Sequence, residues 1–236
     1  MDAENFSLTL DDGAPSLDRL TVMSLRDQVH QALRAAILKG RFRTLQRLNE
    51  RQLAEMLGVS TTPVKEALRQ LEADGLVEVH ARRGVTVLFD RPWAEEMVLA
   101  RAALESMIAR VAAQRITPEA AQALRTLIEE MRETTRDGSA EDLVRLNARF
   151  HGRIHDIADG RYLRRLIERQ RVYDAETRKV IHANPRERER AFAEHARVGL
   201  AIIDGDVATA EAAMRDHVVR SGEIYLDQVF GRPAED

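Results

Sequence analysis

The stretch VSTTPVKEALRQLEADGLV, Val59 to Val77, leaves the chain around it few options. Val64, Leu68 and Leu71 fall on one stripe of a helix, and Thr61 or Thr62 can cap its start. Pro63 sits in the first turn, where a missing N–H has no intrahelical partner to lose, and Asp74-Gly75 ends the run. Just upstream, Asn49 can cap another short helix through Leu57, stopped by Gly58. Two short helices around a turn of about three or four residues form a helix-turn-helix. The second helix presents Thr61, Thr62, Lys65 and Arg69 outward. The following LVEVHARRGVTVLF reads as two strands around a turn at Arg82-Arg83-Gly84, which makes the unit winged. An earlier helix, Ser24 to Lys39, carries Leu25, Val29, Leu33, Ile37 and Leu38 at helical spacing before Gly40.

Charge is unevenly placed. The whole chain is at −3, but residues 21–89 hold eleven Lys/Arg against seven Asp/Glu, a net +4. Residues 1–20 hold one Arg and five acids. A basic module thus lies between an acidic tail and a mildly acidic remainder. The absence of cysteine removes disulfides and thiolate metal sites. The acidic N-terminus lacks the basic segment of a secretory signal, and no apolar run nears the roughly 18 residues of a membrane span, so a cytoplasmic location without a membrane partner is expected.

From Pro92 onward the pattern is helix after helix, near 93–114, 118–136, 140–158, 161–182, 186–204 and 206–230. Thr117-Pro118 starts one, Ser139 with Asp142 makes a capping box, and Asp137-Gly138, Asp159-Gly160, Asn184-Pro185 and Asp204-Gly205 mark breaks. The expected fold is mainly α: a winged helix-turn-helix followed by an antiparallel six-helix bundle. The divisions are a flexible acidic tail (1–22), the winged module (23–90), the helical domain (91–230) and a short C-terminal tail (231–236).

The major groove of DNA admits one helix, whose first turn meets the base edges. Thr61 and Thr62 allow close approach there, Lys65 can reach a guanine or a phosphate, and Arg69 faces the same way. Arg51 can clamp phosphate or a base, and Arg82 and Arg83 beside Gly84 can enter the minor groove. The segment LRDQVHQALRAAILKGRF…RLNERQLAEMLGVSTTPVKEALRQLEADGLVEVHARRGVTV strongly resembles the N-terminal winged helix of the GntR family of bacterial transcription regulators. Thr44-Leu45 stands where that family usually has Pro-Gly, and Thr61 and Lys65 where it usually has arginines. Threonine cannot form the bidentate guanine contact of arginine, and lysine loses the fork, so the family's operator does not transfer directly. The Arg51 and Arg83-Gly84 positions match.

In the helical part, Asn147 and His151 lie i, i+4 on one predicted helix. His195 and His217 lie on two later helices, and a bundle could bring all four together around a divalent transition ion. His151 with His155 is a rival pair. The segments LNARFHGRIHDIADG and EHARVGLAIIDGDVATAEAAMRDHV resemble the effector domain, the FCD domain, of the FadR-type branch of the same family, in its six-helix variety. That resemblance implies Asn147, His151, His195 and His217 as ligands of zinc, nickel or manganese, and a small carboxylate as effector. It also implies Arg101 as the clamp on the acid; Arg145 and Arg178 are further candidates. The implied protein is a ligand-responsive regulator: a homodimeric repressor on palindromic double-stranded operator DNA, with half-sites about one helical turn or less apart. The alternatives are a metalloenzyme, a metal-only sensor, or a winged helix that contacts protein.

Overall fold

The computed structural model describes residues 23–80, 84–169 and 182–232. Both proposed tails except residues 231–232, the wing tip with Arg82 and Arg83, and Arg178 lie outside the described residues.

The N-terminal module starts with α1 (Leu25–Leu38), whose cap Ser24 accepts from the Asp27 N–H. Next come β1 (Arg47–Leu48), α2 (Glu50–Leu57) and α3 (Thr61–Ala73). Asn49 caps α2 by accepting from the backbone of Arg51 and Gln52, and Gly58 closes it at φ 66°. The cap position of α3 is Ser60, without a side-chain hydrogen bond, so Thr61 and Thr62 are the first helical residues and not its cap. Strands β2 (Val77–His80) and β3 (Gly84–Val87) form the wing. The sheet has the antiparallel order β1-β3-β2, with Arg47 opposite Thr86 and Val79 opposite Val85. The third strand, β1, was not expected, because two residues carry no readable alternation.

The turn before β1 keeps a left-handed residue. Leu45 has φ 62° and is 71% exposed, while its N–H donates to the Val87 carbonyl. A leucine in this conformation is strained by about 1 kcal/mol, and the position suits the glycine that the resembling sequences carry.

Among the described residues six helices follow: α4 (Arg91–Arg115), α5 (Pro118–Asp137), α6 (Ala140–Ala158), α7 (Arg161–Arg169), α8 (Pro185–Ile203) and α9 (Val207–Phe230). Of the helix expected over 161–182, the stretch 170–181 lies outside the described residues. Thr117 caps α5, and Ser139 with Asp142 forms a complete capping box on α6. The core of the bundle gathers Ile108, Leu124, Phe150, Ile154, Ile202 and Met214, all buried.

Helices α4 and α9 form the most extensive pair. Gly222 permits this: a Cβ there would lie 2.2 Å from Cγ1 of Val98. The pair also enters the N-terminal module. Ala94 and Met97 of α4, with Tyr225 and Leu226 of α9, belong to the same apolar cluster as Val29, Leu33 and Leu68. The Tyr225 hydroxyl donates to the Leu38 carbonyl at 2.7 Å, fully inside the protein. Arg91 ties the rim, donating to Asp227 at 2.9 Å and to the Gly231 carbonyl.

Tyr225→Phe removes the hydroxyl and leaves the last carbonyl of α1 without this donor in a dry environment. A loss of about 1–2 kcal/mol is expected in urea unfolding. An unchanged midpoint and slope would mean that water or another group replaces the hydroxyl.

Candidate functional site

Three helices of the bundle each place one imidazole at a common point. His151 of α6, His195 of α8 and His217 of α9 are buried, and one ring nitrogen from each lies within 4.8 Å of the others. Their rings stand 5.5 Å apart for His151–His195 and His151–His217, and 4.3 Å apart for His195–His217. Phe150 closes one side, edge-on to His195 at 5.0 Å. Gly199, one turn after His195, lets α8 approach: a Cβ there would meet Ile128 at 2.7 Å and Phe150 at 3.2 Å.

The outer hydrogen bonds fix which nitrogens face inward. His195 donates from Nδ1 to the Ala191 carbonyl at 2.7 Å, leaving Nε2 buried without a hydrogen-bond partner. Nδ1 of His217 lies 3.0 Å from Glu194 Oε2 and donates to that carboxylate. Nδ1 of His151 lies 3.8 Å from Glu105 Oε2. Carboxylates and carbonyls behind the ring are the usual means of holding a metal-binding imidazole in one tautomer. Burial, with the nearby His217 and His151, holds His195 well below the ordinary imidazole pKa, so it is the neutral form that presents Nε2. An orphaned buried acceptor beside two other convergent imidazoles fits a divalent transition ion. Asn147 is buried one turn before His151 on the same face of α6.

Two acids behind the histidines were not foreseen. Glu105 is 1% exposed, accepts from Arg101 Nη2 at 3.0 Å, and lies 2.8 Å from His155 Nε2. Burial pushes its pKa up, but hydrogen bonds from His151 and His155 and the charges of His151 and Arg101 outweigh this and hold it well below the usual carboxylate range. Glu194 is likewise pushed up by burial and drawn down further by His217 and Arg220. Arg220 in turn joins Glu194 to Glu187. His182 is a further buried histidine whose charge bears on His195. In sequence, only the i, i+4 relation of Arg101 to Glu105 and the adjacency of Glu194 to His195 hint at these roles.

The predicted arginines part company. Arg101 is buried and engaged with Glu105. Arg145 is exposed and hydrogen-bonded to Asp142; two positions from the buried Asn147, it faces the other side of α6. His155 belongs with Glu105 and not to the three-histidine group, which removes the His151–His155 pair as the centre.

On the N-terminal module, Arg51, Thr62, Lys65 and Arg69 are exposed and Thr61 is half-buried. Lys65 Nζ stands 3.7 Å from Glu50 on α2. Gly84 opens β3 at φ 88°, where a Cβ would press on the Leu48 carbonyl at 3.2 Å.

A winged helix whose third helix exposes Lys65 and Arg69, followed by a helical bundle holding three histidines, can be compared with known proteins. Residues 25–87 match the family described as bacterial regulatory proteins, gntR family, and residues 96–220 match the FCD domain. The chain belongs to the GntR family, with an FCD domain. The family is described as regulatory proteins and the relatives are named as transcriptional regulators, not enzymes, which speaks against the metalloenzyme alternative. The chain is 31% identical over 143 residues to the uncharacterized regulator YdhC of Bacillus subtilis, covering 60% of this chain and 64% of that protein. It is 32% identical over 135 residues to the probable D-xylose utilization operon transcriptional repressor of Paenarthrobacter nicotinovorans, covering 56% of this chain and 59% of that protein. The chain thus spans less than two thirds of the length of these relatives. The solved structure of Escherichia coli McbR/YncC shares the fold, with TM-score 0.61 and 24% identity over 88% of this chain and 99% of that one. No helix among the described residues is long and apolar enough to cross a membrane.

Glu105→Gln removes the carboxylate charge that faces the buried Arg101 guanidinium at 3.0 Å. Unfolding in the presence of a chelator should show a loss of about 3 kcal/mol at neutral pH. Because the folded carboxyl titrates below its unfolded value, its contribution persists above the ordinary carboxylate range and is lost only as pH falls through the lowered value. The gap between variant and parent should narrow in acid; a gap that never narrows as pH falls below the ordinary carboxylate range would contradict this account.

Proposed function

We propose that this regulator is a homodimeric repressor that works in the cytoplasm on a palindromic operator. It is released when a small organic acid binds beside a divalent ion at Asn147, His151, His195 and His217. The observation that carries this reading is the continuity of α9. His217 belongs to the histidine cluster, and Tyr225, about 12 Å further along the same helix, is part of the winged module's core. A change in how His217 is held therefore bears on the packing of α1 without any intervening loop.

The ion, when bound, supplies a Lewis-acidic anchor for a carboxylate oxygen. The chain's own residues do the rest: Glu194 orients His217, Ala191 orients His195, and Arg101 is the guanidinium for the far end of the acid, shared with Glu105. Zinc, nickel and manganese all suit imidazole-rich sites. Arg145 and Arg178 are secondary effector candidates. A metal-only sensor remains the second reading, favoured by the engagement of Arg101 with Glu105.

The dimer reading rests on an exposed apolar stripe of α4. Leu99 is 59% exposed and Met107 41% exposed, with the exposed Ala103 between them at helical spacing. On DNA, Thr61, Thr62, Lys65 and Arg69 line the recognition helix, Arg51 approaches from α2, and Arg82 and Arg83 beside Gly84 serve the wing. Lys65 exchanges Glu50 for a phosphate or base.

The test uses an operator selected from a random duplex library. Lys65→Ala and Arg51→Ala should each weaken binding, and loss of one phosphate contact should reduce the salt slope by about 1. A Lys65→Ala protein with the parent's affinity and slope would remove Lys65 from the interface. Zinc should raise the melting temperature of the parent through preferential binding to the native state, and a chelator should reverse it. If His195→Ala responded equally, the metal would be bound elsewhere.

A further inference from the structure

Two adjoining stretches of this chain carry opposite charge of the same size. Residues 21–89 stand at +4. Residues 1–20, with Asp2, Glu4, Asp11, Asp12 and Asp18 against Arg19, stand at −4. The positive charge lies open on the winged module. Arg51 of α2 and Arg69 of α3 are exposed and have no acid partner among the described residues. Lys65 stands 3.7 Å from Glu50, and Arg43 and Arg47 are exposed on the same module. Helix α2 also exposes Met56, at 75%, and part of Leu57. A phosphate backbone makes no use of that apolar surface. Residues 1–20 carry groups that do: Phe6, Leu8 and Leu10 alternate with Ser7 and Thr9 just before Asp11 and Asp12.

We propose that residues 1–20 dock on the DNA-reading face of the winged module, against Arg51, Lys65 and Arg69 with Met56 beside them, and compete with DNA for it. This rests on the reading of that face given above. The described chain begins at Met23, directly before α1, and α1 packs on the recognition helix α3. Twenty residues reach up to about 66–72 Å. A compact module of about 65 residues has a radius of gyration of about 11 Å, so every face of it is within reach of the tether. Tethering holds the two charges together at an effective concentration on the order of millimolar. The attraction is largely Coulombic between exposed groups, so added salt weakens it. Duplex DNA has a far denser charge and displaces the carboxylates from the face. Docked tail and bound DNA exclude one another, so the tail lowers the affinity for operator and for random duplex by the same factor.

The test keeps the chain at full length. The tail variant carries Asp2→Ser, Glu4→Gln, Asp11→Ser, Asp12→Ser and Asp18→Ser. A control variant removes exposed acids of the bundle to the same total charge: Glu129→Gln, Glu133→Gln, Asp137→Ser, Glu189→Gln and Asp216→Ser. The tail variant should bind operator and random duplex about tenfold more tightly than the parent at about 50 mM salt, and no more tightly at about 0.5 M. The control should stay within about twofold of the parent at both. The chain has no cysteine, so Ser7→Cys accepts a single nitroxide label. Its broadening of amide signals should fall on α2 and the first two turns of α3, and should vanish when duplex or salt is added. Equal gains in the tail and control variants, or broadening that spares α2 and α3, would overturn the docking and leave the DNA-reading face as described. Lys65→Ala placed in the tail variant tests the face itself: undiminished affinity there would remove the face, and the docking with it.

Discussion

The pairing of α4 with α9 carries both halves of this molecule. Most of its length lines the bundle, yet its far end, with Ala94, Met97, Tyr225 and Leu226, finishes the core of the winged helix. A winged module of about 65 residues has a small core, and small cores are marginal unless something else covers them. Here the cover is supplied by the same helix that holds His217. Gly222 is the steric condition for it, since any larger residue would collide with Val98. The packing of the bundle and that of the winged module are therefore not independent.

The electrostatics of the bundle follow from depth. Among the described residues, the buried Arg101 is matched by Glu105, and the half-buried Arg220 by Glu194 and Glu187. The carboxylates are placed behind the imidazoles and not among them. His195 donates from Nδ1 to the Ala191 carbonyl and His217 from Nδ1 to Glu194, and Nε2 of His195 is left buried without a hydrogen-bond partner, as an ion among the three rings would explain.

Much of the architecture was legible because it is written in local chemistry. Asn49, Thr117 and the Ser139–Asp142 box marked helix starts that the structure reproduces. The i, i+4 spacing of Asn147 and His151 placed both on one buried face of α6. What escaped is long-range. Strand β1 exists only because β3 offers it an edge, and Ser60 precedes α3 where either threonine looked a better cap. Glu105 reads as an ordinary surface acid until α6 brings His155 to it across fifty residues. Tyr225 gives no sign in the sequence that its hydroxyl reaches Leu38. Arg101 was expected as a clamp on the effector; that it is buried against Glu105 could not be read from spacing alone.

The account stands on one ion held by α6, α8 and α9. The most direct measurement is an anomalous difference map from crystals of the zinc-loaded protein, collected at the zinc edge. The prediction is a single strong peak per chain, about 2.0–2.1 Å from one ring nitrogen each of His151, His195 and His217. Peaks confined to surface histidines, with the three buried rings unmoved and no density between them, would contradict it.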